Sequence, residues 1–287
     1  MIVFEDFTYA YPTGSAPVLR GIDLVVEEGG FHGVVGASGA GKSTLAMAVA
    51  GFIPHAQGGE YAGRVAVGGA VVADTPLPEL VTRVGLVQQN PFDQISGARF
   101  TVREEIAFGL ENLGVEREEM ARRVDAVMAD LGITGLADRS PYALSGGQQQ
   151  VVAVASMLVM RPEVLVLDEP TSQLDPGGAR MVVEALGAVR RSGVTVLLVT
   201  HALELLAEHA DTLHVLVDGE IAAQGPPAET LADDRMEEWG VGRPRYTEAA
   251  ARARRDGLWE ADRALPATLG AAAAGFRAAV RTEGGRR

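Results

Sequence analysis

The chain has 287 residues, 25 of them Lys or Arg and 38 Asp or Glu, for a formal charge of -13. It is 47% hydrophobic and has no cysteine, which excludes whole-chain disorder, a disulfide framework, a thiolate zinc site and a thiol nucleophile. The acidic balance weighs against broad nucleic-acid binding, and no apolar run approaches the ~18–20 residues that cross a bilayer.

Residues 2–9 predict a strand, and Ile22, Leu24 and Val26 alternate with polar partners as a half-buried strand does. The first residues show no basic stretch followed by an apolar run, so a cytoplasmic location is expected. Residues 31–35 form a short apolar run ending at Gly36, and 42–50 are helical in composition: strand, glycine loop and helix in sequence. Residues 64–72, with Gly68-Gly69 between Val-rich arms, predict a hairpin, and 84–87 another strand. From about 92 to 160 the pattern turns helical, with amphipathic spacing over 102–113 and 118–131 and stops at Gly132 and Gly135. Then come a strand at 164–167, a helix at 177–191, a strand at 194–199, a helix at 203–209 and a strand at 213–217. Strands alternating with helices predict an α/β fold built on a mainly parallel sheet covered on both faces. Residues 242–287 hold 10 Arg against 5 acids, so residues 1–241 carry -18. The expected division is a domain over 1–240, with a helical subdomain at about 92–160, and an Arg/Ala-rich extension over 241–287.

Among the 25 basic residues only Lys42 is a lysine. It lies in Gly36-Ala37-Ser38-Gly39-Ala40-Gly41-Lys42-Ser43, which fits G-x-x-x-x-G-K-[ST] after a strand and before a helix. Such glycines let backbone N–H groups turn around phosphate oxygens at a helix N-terminus. Gly36, Ser38, Gly39, Ala40, Gly41, Lys42, Ser43 and Thr44 are therefore candidates to hold ATP, with Lys42 on the β- and γ-phosphates and the Ser43 hydroxyl on Mg2+. The strand over 164–167 ends in Asp168-Glu169, where ligands collect at the carboxyl ends of parallel strands. Asp168 is expected to hold magnesium, directly or through water, and Glu169 to act as general base for the attacking water. Leu144-Ser145-Gly146-Gly147-Gln148 precedes a long helical stretch, so Ser145 reads as a cap and the glycines leave N–H groups bare for another anion.

These three elements, in this order, resemble the signature of ATP-binding-cassette (ABC) ATPases over residues 1 to about 225. The resemblance implies a phosphate-loop core with an N-terminal antiparallel β subdomain and a helical insertion. It also implies that Tyr11 stacks on adenine in preference to Tyr9, that Gln89 senses magnesium and the attacking water, that Asp175 communicates across a dimer and that His201 contacts the γ-phosphate. Gln88 and Gln89 both stay open for the glutamine role. Val151 departs from the family, which commonly has arginine there. Two such chains, identical or different, meet head to tail, so Ser145, Gly146, Gly147 and Gln148 of one cover the ATP held by Lys42 of the other. The runs over 89–94, 101–112 and 172–176 are similar to the ATPases of energy-coupling-factor importers. That likeness implies a transmembrane coupling protein, a small membrane substrate-binding protein, uptake of a vitamin or transition-metal ion, and a peripheral place on the cytoplasmic face of the membrane. The competing expectations are the ATPase of a conventional importer or exporter, and a soluble cassette ATPase acting on nucleic acid or ribosomes.

Overall fold

A computed structural model describes residues 1–14 and 16–284. In chain order the strands are β1 (Ile2–Ala10), β2 (Leu19–Val26), β3 (Phe31–Val35), β4 (Glu60–Val67), β5 (Ala70–Val71), β6 (Val84–Val87), β7 (Val164–Asp168), β8 (Thr195–Val199), β9 (Thr212–Val217) and β10 (Glu220–Gly225). They form two sheets. An antiparallel one has order β2-β1-β4-β5, and a six-stranded one has order β10-β9-β3-β8-β7-β6, parallel except for β10.

In β1 the inward residues run Ile2, Phe4, then Phe7 and Tyr9, a step of three that breaks the strand period. Asp6 supplies the extra residue with φ 44, and the register shifts between Phe4 and Phe7 against β2. Gly63 lies opposite, where a β-carbon would fall 2.1 Å from the Asp6 carbonyl oxygen.

The central strands are buried on both sides, and alternate residues feed two cores. Val164, Val166, Leu197 and Val199 pack with the antiparallel sheet and with helix α1 (Lys42–Val49). Leu165, Leu167, Val196 and Leu198 face the helices of the other layer. Short helices α2 (Phe52–His55) and α3 (Leu77–Arg83) follow α1, and then the helical insertion, α4 (Val102–Asn112), α5 (Arg117–Asp130) and α6 (Gly146–Leu158). Thr101 and Glu104 form a reciprocal capping box that starts α4. Val151 is buried in the larger core, so its side chain packs rather than reaching out as an arginine would.

Helices α7 (Pro176–Arg191) and α8 (Leu203–His209) complete the βα alternation, and α9 (Pro227–Thr230) and α10 (Arg235–Glu238) lead out of the sheet. The tail folds as α11 (Arg245–Arg255) and α12 (Leu269–Gly284) around its own small cluster of Ala250, Ala251, Ala253, Trp259 and Leu265. Gly275 lies flat on the Trp259 ring, where a β-carbon would come within 2.0 Å.

Two buried histidines brace the strand that leads into the glycine loop. His32 on β3 and His214 on β9 have stacked rings, with Nδ1 of the first 3.2 Å from Nε2 of the second. Burial, reinforced by the neighbouring His32, pushes the His214 pKa down to about 4, against a partial pull upward from a Gln224 hydrogen bond. Burial lowers that of His32 as well, opposed by the nearby Asp211 and Glu27 charges. Both shifts favour the uncharged form of the pair.

Candidate nucleotide site

The loop between β3 and α1 is held by close backbone approach. A β-carbon on Gly36 would lie 2.4 Å from the Leu216 carbonyl oxygen on β9, and Gly41, which caps α1, has φ 105. Only glycine meets both demands without strain. The loop's far side is tied by Gly219 N, which donates to the Ala40 carbonyl at 3.1 Å. Ser38 and Gly39 at the tip are exposed.

Lys42 is buried, with its ammonium facing three acceptors: Gly36 O at 2.9 Å, Ala37 O at 3.0 Å and His201 Nε2 at 3.2 Å. A charged amine donates, so Nε2 is the acceptor in the Lys42 contact. Burial pulls the Lys42 pKa down, while the Glu169 and Asp168 charges push it back up. Asp168 is shifted the other way: burial raises its pKa, opposed by a hydrogen bond from the Ser43 hydroxyl and by the Lys42 charge. The Lys42 and Asp168 charges thus partly offset each other's burial.

Glu169 sits one residue past β7 in the left-handed region, φ 50, a conformation that costs a non-glycine residue on the order of 1 kcal/mol or more. Its backbone N–H still reaches Val199 O at 2.8 Å, so the edge of β8 fixes the turn. Its Oε2 accepts from Thr200 Oγ1 at 3.2 Å and from His201 N at 3.3 Å. Its Oε1 stands 3.3 Å from His201 Nε2 and has no hydrogen-bond partner, as is also true of the buried Asp168 Oδ1. Gln89 Nε2 donates to Ser172 Oγ at 3.0 Å, and that hydroxyl donates to the Glu169 carbonyl at 3.1 Å. Gln88 takes part differently. Its N–H is held by Gln94 Oε1 at 2.9 Å and its carbonyl by Gln150 Nε2 of α6 at 3.2 Å. Tyr11 places its hydroxyl 3.1 Å from Thr44 Oγ1 at the start of α1, while Tyr9 is buried with its hydroxyl on Gly58 O at 2.6 Å. Tyr11 is the ring available beside the loop.

Lys42, Ser43, Thr44, Tyr11, Asp168, Glu169, His201 and Gln89 therefore converge at one end of the parallel sheet. Ser145, Gly146, Gly147, Gln148 and Asp175 form a second cluster. Ser145 Oγ accepts from Gln148 N at 3.4 Å and Ser145 N donates to Gln148 Oε1 at 3.0 Å, a capping box on α6. Asp175 caps α7 by accepting from Gly178 N at 2.7 Å. The two helix starts touch, since a β-carbon on Gly147 would lie 2.3 Å from the Gly178 Cα. Among the described residues no hydrogen bond or ion pair joins the two clusters. Sequence reasoning gave no part to Ser172, whose hydroxyl links Gln89 to the Glu169 carbonyl, or to Thr200, whose hydroxyl donates to Glu169 Oε2. A threonine buried at the strand end just before His201 is the signal that was there to be read.

The residues present fit a magnesium–polyphosphate ligand. Two buried carboxylate oxygens lack partners, one of them on the residue that binds the Ser43 hydroxyl, and magnesium takes one or two protein carboxylates alongside phosphate oxygens. The glycine loop, the lysine at its end and the paired carboxylates on the next-but-one strand define a phosphate-loop nucleotide hydrolase.

The family model described as "ABC transporter" matches residues 19–172, more than half of the chain. The energy-coupling factor transporter ATP-binding protein EcfA of Methanothermobacter thermautotrophicus is 41% identical over 239 residues, 82% of this chain and 74% of that protein. The structure of cbiO1 from Clostridium perfringens, part of the ABC transporter complex cbiONQ, superposes with a TM-score of 0.73 at 28% identity, covering 89% of this chain and 96% of that one. A dimeric structure of the ATP-binding cassette MJ0796 in a post-hydrolysis state, bound to ADP and Pi, gives a TM-score of 0.67 at 26% identity, covering 79% and 99%. The chain belongs to the ABC transporter family as an ATP-binding, ATP-hydrolysing subunit, and it is closely related to the energy-coupling-factor ATPases.

Proposed function

We propose that this chain powers an energy-coupling-factor type importer, on the cytoplasmic face of the membrane, for a vitamin or transition-metal ion. It would work as one of two head-to-tail ATPase subunits bound to a transmembrane coupling protein and a small membrane substrate-binding protein. The observation that carries the coupling half of this reading is an exposed aromatic face beside the Gln88–Gln89 turn. Phe92 and Tyr142 stand 6.0 Å apart, ring centre to ring centre, and Phe100 close by in sequence is 88% exposed. Such an exposed aromatic face suits cytoplasmic helices of a membrane subunit. Among the described residues no helix is long and apolar enough to cross a membrane.

The hydrolytic half follows from the first cluster. Backbone N–H groups of 37–43 and the Lys42 ammonium hold the phosphates, and Tyr11 offers its ring to the base. Ser43, Asp168 and Gln89 would hold magnesium, which draws charge off the phosphate oxygens when bound. Thr200 and the His201 N–H fix Glu169 Oε2, leaving Oε1 to take a proton from the attacking water as its oxygen bonds to the γ-phosphorus and ADP leaves. His201 steadies the γ-phosphate. The second cluster presents the N-termini of α6 and α7, which suit the far side of a partner's polyphosphate. ATP then joins the subunits and hydrolysis releases them, a cycle the membrane partners can use.

Affinity purification from detergent-solubilised membranes tests the reading. A transmembrane coupling protein together with a small vitamin- or metal-binding membrane protein is the expected catch; ribosomes or DNA in their place overturn it.

A further inference from the structure

The chain that leaves the six-stranded sheet turns back onto the glycine loop. Met236 of α10 is fully buried in the larger core, and Trp239 and Val241 pack against the same core. The next turn is fixed by its own backbone. Gly240 N donates to Glu237 O at 3.0 Å, and the N–H groups of Val241 and Gly242 both donate to Met236 O, at 3.0 and 3.1 Å. Two glycines in this turn have left-handed backbones, Gly240 at φ 69 and Gly242 at φ 79. Their surroundings differ. A β-carbon on Gly240 would stand 3.5 Å from Ala37 Cβ, at van der Waals contact, whereas one on Gly242 would meet nothing within 4 Å. Ala37 is one of the two loop residues whose carbonyls accept from Lys42.

The same segment is anchored again just beyond. Arg245 pairs with Glu204 at 3.5 Å, on the helix that follows His201. Elsewhere on the loop the β9–β10 turn holds Ala40 through Gly219. Two turns far from the loop in sequence thus stand beside it, one hydrogen-bonded to Ala40 and one close to Ala37.

We propose that the turn over 240–242 is a positioning element for nucleotide binding: it backs Ala37 and keeps the phosphate loop in its binding shape before ATP arrives. A loop held in its bound form loses less conformational freedom when ligand docks, and the saving appears as affinity. Gly240 suits the place twice over, by accepting a left-handed backbone and by leaving contact room for Ala37. The inference rests on ATP occupying the loop.

A strain-matched pair of variants tests it. Asparagine tolerates a left-handed backbone better than other side chains, so Gly240→Asn and Gly242→Asn carry similar backbone cost, and only the first extends atoms toward Ala37. With a fluorescent ATP analogue in the full chain, Gly240→Asn is expected to weaken binding by roughly fivefold or more relative to Gly242→Asn, with melting temperatures alike and kcat little changed. Adding Ala37→Gly to Gly240→Asn should recover part of the loss. Equal affinities in the two variants, or a loss that merely follows a lower melting temperature, overturn the proposal. Hydrogen exchange on the unaltered chain gives a readout that needs no variant. By linkage, saturating MgATP must slow exchange at the amides of 240–242, and unchanged exchange there overturns the brace. A wild-type chain that binds no nucleotide would overturn the underlying reading and the brace with it, whereas intact wild-type binding with matched variants removes the brace alone.

Discussion

The two clusters of motif residues are built differently. Around Lys42 the bonds cross the fold: Lys42 reaches His201, Glu169 is held by Thr200 and His201, and Gln89 is tied through Ser172 to the same turn. Around Ser145 they stay local, because Ser145 and Gln148 bond each other and Asp175 bonds Gly178, three residues apart in each case. Long-range bonds fix where a side chain stands in the molecule; local caps only fix how a helix starts. The first cluster is therefore shaped within one chain, and the second is a pair of presented helix ends, as the head-to-tail pairing proposed above requires.

Four outcomes break or sharpen that contrast. The largest concerns the cross-fold site. Glu169→Gln keeps the size and the acceptor oxygen but cannot take a proton, so turnover should fall on the order of 10²–10⁴-fold while MgATP binding persists. Steady-state phosphate release beside nucleotide binding measures both, and wild-type turnover would remove Glu169 from the base role. Next, Ser145→Arg should abolish ATP-dependent dimerisation, read by light scattering in the Glu169→Gln background, while single-chain nucleotide affinity holds. A dimer that still forms would show that the presented helix ends serve something else.

The third outcome concerns the buried histidine pair. His214 has a folded pKa of about 4 against 6.5 for the unfolded chain, so between those values the unfolded state binds more protons. Its contribution is fully present above about pH 6.5 and is lost as pH falls toward 4, up to ~3 kcal/mol. Denaturant unfolding between pH 7 and 4 should show a shallower loss in His214→Asn than in wild type, and identical slopes would mean that the histidine pair already charges in the folded state. Smallest is Asp175→Ala. If that side chain is only a local cap, its loss costs ~1 kcal/mol in unfolding free energy with ATP affinity unchanged.

The glycine loop, the strand ending in Asp168-Glu169 and the helix cap at Ser145 were legible because each is a short local pattern whose geometry its own residues dictate. The same holds for β7 and β8, buried apolar runs that only the middle of a parallel sheet accommodates. Strand β10 was not seen. Glu220–Gly225 alternates between exposed and half-buried residues and includes two alanines, so neither hydrophobicity nor β-propensity marks it, and its pairing with β9 is a tertiary gift. Helix α3 escaped for a similar reason, being two turns long with a single buried residue. Within the site, sequence could not tell Gln88 from Gln89 or give work to Ser172 and Thr200, since a hydroxyl or amide carries no spacing signature. The closeness of Gly240 to Ala37, some two hundred residues apart, left no trace along the chain.

The alternation in β7 has a consequence for how such a chain can vary. Val164 and Val166 belong to one core, Leu165 and Leu167 to the other, and the two acidic residues come next. The strand therefore acts as a ruler. Inserting or deleting a single residue before Asp168 would exchange the contents of the two cores and turn the carboxylates through half a revolution. Along this ruler a substitution changes one contact, whereas a change of length changes them all.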